Sequence, residues 1–142
     1  MILLDKEIIR KKLSVIVENL AALETVRDIS IEEYLSNIFE RKATERLLQE
    51  LIEAAIDINM HIIMNSGAAA PDDYYDTFIR AGELKIISFE LAEKIAPSAG
   101  LRNRLVHEYD ELVPSLVVKS VRMAIELYSL YVKAIEAFLA AH

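Results

Sequence analysis

The chain has 142 residues, 54% of them hydrophobic and 27% charged, with three glycines, three prolines, no cysteine and a formal net charge of −7. That balance disfavours disorder, turn-rich β architectures and any disulfide or thiolate chemistry, and the acidic total argues against a general nucleic-acid coat protein, which needs clustered Lys and Arg. Charges interrupt every apolar stretch well before the roughly 18 residues a membrane span needs, so one all-α domain over 1–142 is expected, an up-and-down bundle of about four main helices with short ones between.

The opening MILLDKEIIRKK offers only three apolar residues after Met1 before charge begins. That is too few for the apolar region of a signal peptide, and a cytoplasmic address is the expectation. Asp5 can cap a first helix in which Ile9, Leu13, Ile16, Leu20 and Leu23 recur at alternating spacings of four and three, forming one stripe, with Lys6, Arg10, Lys11 and Glu18 off it. SIEE at 30–33 has the capping-box form and opens a second helix. A long pattern runs over about 44–65 and stops at NSG, with Gly67. Pro71 breaks the pattern, and Asp72 or Asp73 can cap a short helix through Phe78. Tyr74 and Tyr75 could stack on bases, but beside Asp72, Asp73 and Asp76 they read better as anchors holding a loop against the core.

Another short helix covers 89–95 and is ended by APSAG. Pro114 suits the first turn of the longest helix, in which Val117, Val121, Ala124, Tyr128, Tyr131, Ile135 and Phe138 keep the four-three alternation. A second row, Leu116, Met123, Leu127 and Leu130, makes the apolar face wider than one core contact uses. Burial on two sides, inside the bundle and again in a dimer, accounts for that width; a terminal helix sunk in its own core is the alternative.

Several chemistries fall away. A di-iron bundle needs Glu-x-x-His on two helices, and no Glu lies three residues before a His. Asp57 and His61 are four apart and read as a local hydrogen-bonded pair rather than a metal site. His142, the terminal residue, is expected to fray. No glycine loop grips phosphate, so the chain does not read as a kinase or nucleotidyltransferase itself.

What remains is RNRLVHEY at 102–109, which crowds Arg102, Asn103, His107 and Tyr109 together. On a helix Leu101, Leu105 and Val106 would point inward, leaving the polar set to face a cleft. Arg and His suit metal-free RNA cleavage, in which the 2′-hydroxyl attacks the neighbouring phosphorus. Histidine can act as base or acid near neutrality, and arginine presents planar donors to phosphate oxygens. Five positions separate the two by about 140° on an ideal helix, so they converge only through a helix end near His107 or a second copy of the segment. A dimer would supply two histidines, one for each proton transfer. The competing reading is that Arg102 and His107 cap a helix and pair with Glu108, Asp110 or Glu111.

The segment matches the RxxxxHxY motif of the HepT toxins, a branch of the all-helical HEPN ribonucleases, and the chain resembles them from ERLLQELIEAAIDINMHIIM through PDDYYDTFIRAGELKIIS to the closing helix. The resemblance implies a HEPN-like fold and an endoribonuclease toxin of a type VII toxin–antitoxin system. Such a toxin cleaves RNA as a homodimer and is partnered by an MntA-type nucleotidyltransferase antitoxin, with no cofactor. By the same resemblance Arg102 and His107 fall on the catalytic positions, Asn103 on the polar residue that follows the arginine, and Tyr109 on the tyrosine the antitoxin adenylylates. The acidic neighbours Glu108, Asp110 and Glu111 depart from what RNA affinity asks. A non-catalytic helical module that binds a nucleotide or the nucleotidyltransferase is the alternative.

Overall fold

Seven α-helices follow one another in the computed structural model, which describes residues 4–142 apart from Glu108, with Tyr109 in its backbone only. They are α1 (Lys6–Glu24), α2 (Ile31–Ser36), α3 (Ile38–Asn65), α4 (Tyr74–Glu83), α5 (Phe89–Ile95), α6 (Ser98–His107) and α7 (Pro114–Ala141), with a 3-10 turn at Tyr109–Glu111 before the last. No strand occurs among the described residues.

Side-chain caps set the helix starts, each satisfying backbone N–H groups that the first turn leaves without partners. Asp5 accepts from the Glu7 and Ile8 amides, Ser30 from Glu33, Asn37 from Glu40, Asp73 from Asp76 and Ser88 from Leu91. Asn37 ends α2 and caps α3, so α3 begins at Ile38, earlier than the apolar period alone indicates. Gly67 supplies the left-handed turn, φ +83°, just beyond α3.

Contacts between distant residues give the helix directions. The Asp5 amide donates to His61 Nε2 at 3.1 Å, Lys12 meets Asp57 at 2.9 Å, and Asn19 reaches the Leu47 carbonyl at 3.1 Å, so α1 runs antiparallel to α3. Lys6 Nζ donates to the Leu139 carbonyl and Arg122 pairs with Asp28, which sets α7 antiparallel to α1 as well. The helices α4, α5 and α6 carry the chain between the two long parallel helices.

Ile9, Leu13, Ile16 and Leu23 of α1 are buried, as are all seven positions of the main α7 stripe, and buried side chains from every helix belong to one contiguous cluster. Inside it Tyr131 Oη lies 2.6 Å from Asn59 Oδ1 and 3.1 Å from the Ala55 carbonyl. Asn59 Nδ2 reaches Thr77 Oγ1 at 3.4 Å, and that hydroxyl donates to the Tyr74 carbonyl at 2.7 Å. This polar seam satisfies groups that would be costly to bury alone and ties the first turn of α4 to the middle of α3. Burial pushes the Tyr128 and Tyr131 hydroxyls well above the usual tyrosine range, so both stay neutral donors.

Three local expectations are corrected. APSAG does not separate a helix from the motif: α6 already starts at Ser98 and includes Ala99 and Gly100. Asp57 and His61 turn to separate partners on the α1 side, Lys12 and the Asp5 amide, instead of to each other. His142 stacks on Phe138, with ring centroids 4.1 Å apart, which holds the last residue that was expected to fray.

Candidate active site on α6

The helix α6 is pinned at its start and buried on one side. Ser98 Oγ lies 2.7 Å from Tyr128 Oη of α7 and 2.6 Å from the Ile95 carbonyl. Ala99 and Leu105 are buried, and Leu101 and Val106 are half-buried, so the helix cannot rotate without exposing apolar surface. That fixes the direction in which Arg102, Asn103 and His107 leave it.

Arg102 points toward α3 and α4. Its Nε and Nη2 lie 3.0 and 2.9 Å from the same Glu53 oxygen, Oε2, and its Nη1 donates to Asn103 Oδ1 at 3.2 Å. The guanidinium carbon stands 5.0 Å from the centre of the Tyr74 ring, within cation–π range. Of the five N–H bonds of the guanidinium, these contacts leave one on each terminal nitrogen. Those two bonds are suited to a phosphate oxygen pair.

His107 is the last residue of α6 and is exposed, as is Asn103. No hydrogen bond links Arg102 to His107 among the described residues. Tyr109 opens the 3-10 turn two residues on; its side chain, like all of Glu108, lies outside the described residues.

The competing reading pairs Arg102 with Glu108, Asp110 or Glu111; Arg102 takes Glu53, 49 positions away on α3, and Glu108 lies outside the described residues. Tyr74 and Tyr75 also differ from expectation: both are exposed, and Tyr74 backs the arginine rather than anchoring a loop in the core. The acidic row of α3 is neutralised pair by pair, Glu50 by Arg46, Glu53 by Arg102 and Asp57 by Lys12.

Between α6 and α7 runs a mostly apolar groove of about 240 Å³ whose walls include Leu101, Arg104, Leu116, Met123 and Leu127. Along the outer row of α7, Met123 is 44% and Leu130 48% exposed, while Leu116 and Leu127 are half-buried. The second row read from the sequence is therefore only partly used by the bundle: Leu127 packs against the core, while Met123 and Leu130 stay exposed.

A family model described as Ribonuclease HepT-like matches residues 5–135. The chain belongs to the HepT-like ribonuclease family. Its relatives include the tRNA nuclease HepT of Aphanizomenon flos-aquae, 41% identical over 136 residues that cover 96% of this chain and 92% of the relative. Among solved structures, a tri-AMPylated HEPN toxin of Shewanella oneidensis in complex with its MNT antitoxin superposes with a TM-score of 0.81 at 26% identity, over 95% of this chain and 99% of the other. A toxin–antitoxin structure with AMP-PNP gives 0.83 at 25% identity, over 92% and 98%. The expected all-helical HEPN fold is borne out, and the chain is a ribonuclease of that family. No helix among the described residues is long and apolar enough to cross a membrane.

Proposed function

We propose that this ribonuclease is the toxin of a toxin–antitoxin pair, that it cleaves RNA without a metal ion at a composite site made by two copies of the chain, and that an MntA-type nucleotidyltransferase silences it by adenylylating Tyr109. The observation that carries the reading is the Arg102 guanidinium, held so that one N–H on each terminal nitrogen remains for phosphate.

In the reaction, the 2′-hydroxyl of the substrate attacks the adjacent phosphorus. One His107 takes the hydroxyl proton, and His107 of the second copy protonates the departing 5′-oxygen, leaving a cyclic phosphate and a free 5′-hydroxyl. Arg102 stabilises the charge that grows on the non-bridging oxygens, and Asn103 acts through Arg102 by accepting its third N–H group. Each proton transfer contributes roughly a hundred- to ten-thousandfold in rate. The second copy supplies the histidine that a single chain lacks, and the exposed Met123 and Leu130 of α7 offer the apolar surface for it.

Adenylylation fits the same place. Tyr109 lies two residues beyond His107, so an AMP ester there brings a phosphate to the Arg102 donors and repels the RNA backbone. The modified toxin from Shewanella oneidensis supports this part of the reading.

The test is expression with and without an MntA-type nucleotidyltransferase. Alone, the protein arrests growth, and Arg102→Ala or His107→Ala relieves the arrest while the dimer persists. Co-expressed, its intact mass rises by whole AMP units, and Tyr109→Phe abolishes the increase. A protein that arrests growth equally well with either alanine in place acts by some other route.

A further inference from the structure

Glu53 was not among the residues singled out from the sequence, yet it makes the closest contacts to Arg102. Both of its hydrogen bonds run to the side edge of the guanidinium, Nε and Nη2, and both converge on Oε2. The other carboxylate oxygen is held in turn, accepting from Gln49 Nε2 at 3.4 Å one helical turn earlier on α3. We propose that Glu53 is a positioning residue of the ribonuclease, gripping Arg102 by its side edge so that the end edge of the guanidinium is aimed at the scissile phosphate. This rests on the assignment of Arg102 to phosphate made above.

Three observations favour positioning over the other roles a carboxylate could have here. A competitor for the phosphate site would occupy the end edge, whereas Glu53 takes only the side edge, and with Asn103 on Nη1 one N–H stays free on each terminal nitrogen. A purely stabilising ion pair would have something to hold, but α6 is already fixed by Ala99, Leu105 and the Ser98–Tyr128 contact. The grip is also closed on a second side: the Tyr74 ring lies against the guanidinium at 5.0 Å, so the group is restrained both in its plane and out of it. A free arginine side chain samples many rotamers that this arrangement removes before substrate arrives.

The carboxylate also offsets the arginine's charge. Without it Arg102 would attract an RNA backbone more strongly but hold it less well aligned, so binding and turnover should separate. A residue needed only for folding would not produce that separation.

The experiment measures kcat and KM on a defined RNA for the wild type, Glu53→Met, Glu53→Ala, Glu53→Gln and Arg102→Ala, with rates normalised to the folded fraction from thermal melts. Met and Ala remove the acceptor, one filling the space and one emptying it, so a folding failure in either leaves the other to decide. The expected result is that both lower kcat about ten- to a hundredfold, as misplacement of a reacting group does, with KM no higher than wild type. Glu53→Gln, whose amide oxygen still accepts, should recover most of that loss. Wild-type or faster turnover in Met and Ala overturns the inference, as does a loss that Gln does not relieve. If Arg102→Ala is itself fully active, the assignment of Arg102 fails; if Arg102→Ala is inactive and the Glu53 variants are normal, only the positioning role fails.

Discussion

Replacing Arg102 by alanine removes the two N–H bonds that its protein partners leave free, one on each terminal nitrogen. Hydrogen bonds from a charged donor contribute roughly 1.5–3 kcal/mol each, and two of them acting on a transition state correspond to about 10²- to 10⁴-fold in rate. The fold pays separately: the Arg102–Glu53 pair is only 16% and 33% exposed in its side chains, so removing the arginine leaves a part-buried carboxylate without its partner, a loss of about 1–3 kcal/mol. Initial rates on a defined RNA, with sedimentation to check the oligomeric state and a urea titration to check stability, separate the two effects. Arg102→Lys keeps the charge but offers a compact ammonium in place of a planar fork, and it should recover less than about tenfold of the loss. An alanine variant that cuts RNA within about tenfold of the wild-type rate would refute the argument, because phosphate charge would then be stabilised elsewhere.

Met123→Asp combined with Leu130→Asp places two charges on the outer row of α7 and should weaken the proposed dimer at least about a hundredfold, abolishing cleavage with it; analytical ultracentrifugation reads the first effect and an RNA assay the second. Tyr131→Phe leaves Asn59 Oδ1 and the Ala55 carbonyl without the hydroxyl they share, and urea unfolding should show a loss of about 1–3 kcal/mol. Gly82→Ala puts a methyl 2.6 Å from Ala92 Cβ and 3.4 Å from Phe89 Cα. Overpacking of about 1–3 kcal/mol should outweigh the helix propensity gained, so the melting temperature falls.

The long helices were legible because their burial is periodic. In α1 and α7 the four-three alternation marks a face that the core covers, and the caps Asp5, Ser30 and Asp73 each sit where an unpaired amide needs an acceptor. The start of α3 was missed because Ile38 and Phe39 are exposed and carry no core period; Asn37, the signal that was available, is a cap without a stripe behind it. The start of α6 was missed for the opposite reason, since Pro97, Ser98 and Gly100 look like a break but belong to a helix start held by tertiary contacts.

At the proposed site, RNRLVHEY named the arginine, asparagine, histidine and tyrosine because they are local in sequence. What orients the arginine is not local. Glu53 and Tyr74 come from two other helices, and nothing in the spacing of either marks it as a neighbour of position 102. Gln49 and Glu53 are one turn apart on α3, but that helix carries many other polar residues and nothing in their spacing points to a target.

The buried seam from Tyr131 through Asn59 and Thr77 ends at the backbone of Tyr74, the ring that lies against Arg102. The interior of the molecule is thereby wired to the proposed site. Colonies selected for escaping the toxin should carry lesions at Asn59 and Thr77, as well as at the surface residues that meet RNA.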